Sequence, residues 1–303
     1  MLQRNLSGFA VILFTSALSA QSPIPQHTTA LNLQHGYSAH GEVRENWLAA
    51  LRYLRRDTQQ PVGPFTDKPL SAEESDWAKL IASKVPAWAE MIDSLRVPFA
   101  DTIPPDSATI LLGNQGGEDA FLYRDATMCF DVQRLQHVYG DAAKPTNINR
   151  LDRFFAHEFT HILHKAWLKK HPVPLDTPLQ VALWDCLTEG IGNYRSLSAK
   201  WTTPDGGLSE HAKAILQRLQ PIFVERLVAL QHASHEEVPA LMDGLSMGPF
   251  EQKWGALTVA LWLVQEARDD DTRLQKWVDA GPNGVLTLAQ KYLPDELKNR
   301  LPK

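Results

Sequence analysis

The sequence predicts an α+β fold, mostly helical, in which a small sheet precedes one long amphipathic helix and helices fill the C-terminal part. Two short apolar runs bounded by turn residues, 109–112 and 127–132, suit strands. Apolar residues recur at helical spacing on both sides of them. The composition is that of an ordinary globular chain: of 303 residues, 44% are hydrophobic and 21% charged, and nine Trp and eleven Phe can fill a substantial core.

Taken in order, residues 1–20 have the layout of a secretory signal peptide: Arg4, an apolar run over 9–14, then Ser16, Ala17, Ser19 and Ala20 for cleavage after Ser19 or Ala20. The apolar core falls well short of the roughly 20 residues a membrane span requires. Gln21 stands where a lipoprotein would carry its acylated Cys. The expected product is secreted or periplasmic, with no membrane anchor. Loss of Arg4 changes the charge to 29 − 35 = −6, which argues against nucleic acid or an anionic lipid surface as partner. Residues 21–40, with Pro23 and Pro25, read as an extended lead-in. One domain is expected over 41–303, with a helical and β part at 41–148 and a helical part at 149–303.

Within that domain, a helix is expected over 42–56, with Val43, Trp47, Leu51 and Leu54 on one stripe. Ser71 and Glu74 form a capping-box signature. The helix they open faces Trp77, Leu80, Ile81, Trp88 and Ile92 inward, and Pro86 would kink or break it. Gly116-Gly117 marks a loop, and a short helix follows the second strand through Leu135. Asn149 is a candidate N-cap for a helix to about residue 169, ended near His171-Pro172. Asp176 or Thr177 caps the next, with Pro178 at its first position. A pair of helical segments around Pro221, an apolar helix over 251–268 and a last pair over 272–301 complete the chain.

The chemistry is concentrated in His157-Glu158-Phe159-Thr160-His161. Two histidines at i and i+4 project from one helix face, one turn apart, so both can reach one zinc ion at roughly 2.0–2.1 Å. Glu158 lies about 100° round the helix, beside the metal position, where a carboxylate can take a proton from water. Such a segment arises by chance in about one chain in forty of this composition. His164 shares the face but lies about 10 Å of helical rise from His157, too far for the same ion. A site of this kind needs a third protein ligand. Glu189, 189 − 161 = 28 positions on, returns to the site if the next helix packs antiparallel; Asp185 and Glu210 are its rivals. Gly190 and Gly192 cost about 1 kcal/mol each relative to Ala inside a helix, which points to a close neighbour there.

This arrangement resembles the gluzincin class of zinc metallopeptidases, within a zincin-like core. The resemblance implies one Zn2+ held by His157, His161 and Glu189, with Glu158 as general base and a peptide or protein as substrate. A zinc hydrolase acting on another bond and an exported zinc-binding scaffold are the alternatives. In that class an acidic residue four after the ligand glutamate orients the first histidine; here it is Asn193. The resemblance also implies that the strand around 127–132 could pair with an extended substrate, the alternative being a sheet strand with no ligand. Tyr194, His211, His232, His235 and Tyr292 are candidate donors to the oxyanion. Cys129 and Cys186 flank the site, either as a disulfide or as two buried thiols.

Overall fold

Among the described residues, four strands form one mixed sheet: β1 (Ala30–His35), β2 (Ser107–Gly113), β3 (Ala120–Tyr123) and β4 (Thr127–Asp131). This computed structural model describes residues 27–56 and 61–302; the expected signal peptide and the first part of the lead-in lie outside the described residues. The strand order is β1-β2-β4-β3. The first three in that order run parallel, and β3 pairs antiparallel with β4, Ala120 opposite Phe130 through Tyr123 opposite Thr127.

Two strands depart from the sequence reading. β1 lies inside the expected extended lead-in: its alternation, Leu31 and Leu33 between Asn32 and Gln34, is short, and pairing with β2, 77 positions away at Ala30–Ser107, completes it as a strand. β3 forms the outer edge of the sheet. β4, expected to receive a substrate, has both edges occupied by β2 and β3 and cannot take another strand.

The two faces of the sheet are apolar and divide the core. Ile110, Leu112, Met128 and Phe130 join the main core with α2 (Ala72–Leu95) and α4 (Pro145–Lys170). Leu111 and Cys129 face a smaller cluster with Trp47 and Leu51 of α1 (Glu45–Leu54). Trp88 of α2 stacks on Phe155 of α4 at 4.7 Å and on Phe130 at 5.8 Å. Its indole N–H donates to Asp152 at 2.8 Å, and Lys84 pairs with the same carboxylate at 2.7 Å. These contacts fix α4 beneath the sheet.

The strand β4 runs directly into α3 (Val132–Tyr139), which Asp131 caps. Past α4 come α5 (Pro178–Ser196), α6 (Glu210–His232), α7 (Val238–Met242), α8 (Ala256–Ala267), α9 (Gln275–Asp279), α10 (Pro282–Tyr292) and α11 (Asp295–Lys298). The capping boxes at Ser71–Glu74 and Thr177–Gln180 both form. The helix expected from Asn149 begins earlier, with Lys144 at the N-cap and Pro145 in its first turn, where the missing N–H costs nothing. Pro86 and Pro221 interrupt neither α2 nor α6. In α2, Trp77, Ile81, Trp88 and Ile92 are buried on both sides of the proline, and burying large apolar side chains at about 1.5–3 kcal/mol each outweighs one lost hydrogen bond.

Cys129 and Cys186 are both free and buried. They belong to different clusters, Cys129 to the α1 side of the sheet and Cys186 to the helical core, so no disulfide joins them. Among the described residues no helix is long and apolar enough to cross a membrane.

The C-terminal helices are tied by one buried carboxylate. Glu266, at the end of α8, accepts from Lys276 at 2.9 Å and from Lys291 and Tyr292. Burial alone would raise this carboxyl, but the hydrogen bonds of Lys291, Tyr292 and Lys276 outweigh it and hold it at about 2. A depressed carboxyl stabilises the fold above its unfolded pKa of about 4.3, and that increment is lost as pH falls toward 2. Because Lys276 and Lys291 are themselves largely exposed, solvent screens part of this, and Glu266→Gln is expected to cost on the order of 1–2 kcal/mol at pH 7. Urea denaturation of the chelator-treated protein should show that cost shrinking steadily between pH 5 and pH 2. A pH-independent difference would refute the ion-pair account.

Candidate metal centre

The site is built by the antiparallel packing of α4 against α5. Going up α4, Ser196 and Gly192 meet His157, Glu189 meets His161, and Trp184 meets His164 and Trp167, so positions on α5 descend as those on α4 rise. This register returns Glu189 to the two histidines. The glycines permit it. A Cβ on Gly192 would lie 2.9 Å from the His157 ring, and one on Gly190 would lie 2.5 Å from Val259 on α8. With only hydrogen at both positions, α5 approaches its neighbours on two sides, as the cost of two helical glycines suggested.

His157, His161 and Glu189 each present one donor atom, all within 4.8 Å of one another, and each is half-buried. The two imidazole Nε2 atoms are 2.9 Å apart, and each lies 3.6 Å from a different oxygen of Glu189. These spacings straddle the roughly 3.3 Å edge of a tetrahedron with 2.0–2.1 Å bonds. The group can hold a metal ion. Burial and then the neighbouring His161 lower the His157 pKa well below the usual imidazole value, which leaves a lone pair available.

The tautomer of His157 is set from behind. Ser196 donates its hydroxyl to the Gly192 carbonyl at 3.2 Å, so its oxygen is left to accept from His157 Nδ1 at 3.1 Å. The Nδ1–H tautomer directs Nε2 to the metal position. The partners beside His157 are thus Ser196 and the Gly192 backbone, not Asn193. The bare surface at Gly192 lets the ring reach one turn further along α5. Asn193 is buried, and its amide nitrogen has no partner among the described residues.

Glu158 is only 8% exposed, and burial followed by the charge of Glu189 pushes its carboxyl up to about 8. A cation between the ligands would counter both effects and favour the ionised form.

Several candidates fall elsewhere. Tyr194 donates to Asp271 at 2.7 Å, and Arg195 pairs with the same carboxylate, so these two side chains are engaged by Asp271. His211 pairs with Glu251 at 3.1 Å, Tyr292 with Glu266, and His232 and His235 are exposed. His164 packs edge-on against Phe99 at 4.7 Å, and burial lowers its pKa to about 3. Asp185 is outside the three-donor group, and burial raises it to about 7. Glu210 is exposed and pairs with Lys213 at 2.7 Å.

Two residues at the site had not been anticipated. Ser196 lies seven positions after Glu189, two helical turns along the same face, so its signal was present in the spacing. Lys253 comes from the segment before α8, and only the tertiary fold brings it near.

No family model matches the chain, and no curated protein or solved structure matches it.

The two glycines separate fold from site. In an exposed helix Gly→Ala stabilises by about 1 kcal/mol. Here Gly190→Ala is expected to destabilise by about 1–3 kcal/mol by overpacking against Val259. Gly192→Ala should leave the melting temperature of the chelator-treated protein nearly unchanged, because the ring can swing away, yet weaken metal binding at least ~10-fold. Calorimetry on both variants, with and without metal, distinguishes these outcomes from a general helix effect.

Proposed function

We propose that the protein is an exported, zinc-dependent peptidase with a zincin-like core. The observation that carries the reading is a buried carboxylate, Glu158, directly beside a three-donor group of two histidines and a glutamate. A purely structural site closes its fourth position with protein and needs no such base. The mixed donor set of nitrogen and oxygen atoms suits zinc. Export rests on the N-terminal pattern of the sequence.

When bound, zinc supplies Lewis acidity, polarising a carbonyl and making water acidic near neutral pH. The chain's residues do the rest. His157, fixed by Ser196, together with His161 and Glu189 positions the ion. Glu158 accepts a proton from the attacking water as its oxygen bonds to the carbonyl carbon. Glu158 then returns that proton to the amide nitrogen as the C–N bond breaks. An extended substrate pairs with the free edge of β3, which packs over α4; adding a strand in this way uses main-chain hydrogen bonds and tolerates varied side chains.

Elemental mass spectrometry of the purified protein should find about one zinc per chain, lost in His157→Ala and Glu189→Ala. Glu158→Gln is expected to retain the zinc and lose at least ~100-fold in turnover on a peptide library. A wild type without zinc after reconstitution, or a fully active Glu158→Gln, would exclude this function.

A further inference from the structure

We infer that Lys253 is the anion-binding residue of the metal centre, its ammonium donating to the oxygen that becomes negative as water adds to the substrate carbonyl; this rests on the zinc reading above. Of the candidates for that role, Tyr194, His211 and Tyr292 are each engaged by a carboxylate elsewhere, and His232 and His235 are exposed.

The position of Lys253 follows from backbone packing. Its segment lies directly on α5: a Cβ on Gly255 would meet Cys186 Sγ at 2.6 Å, and Cys186 is one turn before Glu189. Four positions on, Val259 meets Gly190, so α8 runs alongside α5 in parallel and keeps its N-terminal end beside the metal ligands. The segment is pinned. Trp254 donates its backbone N–H to Gly244 and its indole N–H to Asp243, both at 2.9 Å. Glu251 is held by Lys200 at 3.0 Å and His211 at 3.1 Å, and Arg218 donates to its carbonyl at 2.7 Å.

The Lys253 side chain is half-buried, with its ammonium 5.6 Å from the Phe250 ring, and it forms no ion pair with any described residue. Four carboxylates bear on it electrostatically: Glu189 and Glu158 at the metal centre, and Glu118 and Asp119 on the loop before β3. With its segment seated on α5 at Cys186, one turn before Glu189, Lys253 belongs to the same electrostatic neighbourhood as the metal ligands. A cation held near the metal position without being neutralised by contact is suited to charge that develops during reaction. In the step it would assist, the water oxygen bonds to the carbonyl carbon and the carbonyl electron pair moves onto oxygen. Glu158 holds the water's proton until the amine leaves, so no further reactant is required.

The test uses the full chain loaded with Co2+, whose visible spectrum reports on ligand geometry, and methylphosphonate as a small tetrahedral oxyanion. Lys253→Met is expected to weaken methylphosphonate binding on the order of 10- to 100-fold, the range for losing a hydrogen bond to a charged group. Co2+ affinity and the anion-free spectrum should match wild type, and Lys253→Arg should recover most of the binding. Circular dichroism verifies the fold, with Lys253→Gln as a second variant. Equal affinity in wild type and both neutral variants overturns the assignment while leaving the metal reading intact. So does a Co2+ spectrum altered before any anion is added, since Lys253 would then act on the ligands. A wild type that takes up neither Co2+ nor Zn2+ overturns the metal reading, and the role of Lys253 falls with it.

Discussion

The His157 ring lies against the bare backbone at Gly192, and the two-helix donor group depends on that close approach. A methyl group there would displace the ring by roughly an ångström, and a metal ligand tolerates only a few tenths. The same few residues of α5 carry out several tasks. Gly190 admits α8, Glu189 faces the histidines, Gly192 receives one of them, and Ser196 fixes its tautomer. A helix this heavily used has little freedom to drift. Its last turn is clamped by the grip of Asp271 on Tyr194 and Arg195.

What was legible in the sequence follows from the range of the interactions involved. His157, Glu158 and His161 are spaced by helix geometry alone, so their convergence is written locally. Glu189 could be found because a short connection between two helices favours antiparallel packing, and the capped start at Thr177 fixed where the second helix begins. Ser196 was accessible by the same arithmetic, but the expected orienting position, Asn193, assumed an imidazole seated one turn lower on α5.

The remainder depends on contacts between distant parts of the chain. β1 carries only a short alternation, Leu31 and Leu33 between Asn32 and Gln34, and it becomes a strand by pairing with β2. Pro86 reads as a helix breaker, yet four buried aromatic and aliphatic side chains hold the helix through it. The two cysteines invited pairing because both flank the site in sequence. The sheet stands between the clusters to which they belong. Lys253 carries no motif at all; its segment comes to α5 only through the way α8 lies along that helix.

The two-helix origin of the ligands has a thermodynamic consequence. A divalent ion shared by α4 and α5 would act as a reversible cross-link, closing a chain segment of 28 positions between His161 and Glu189. Unlike a disulfide, its strength is set by the surroundings: the native state gains RT ln(1 + [M]/Kd), about 2.7 kcal/mol when free metal stands 100-fold above its dissociation constant. The apolar packing around Trp88, Phe155 and Phe159 does not involve the ion, so the helices retain a core of their own when metal is scarce. Resistance to unfolding and to proteolysis would then follow the metal content of the compartment, and a single ion would couple the durability of the fold to the readiness of its site.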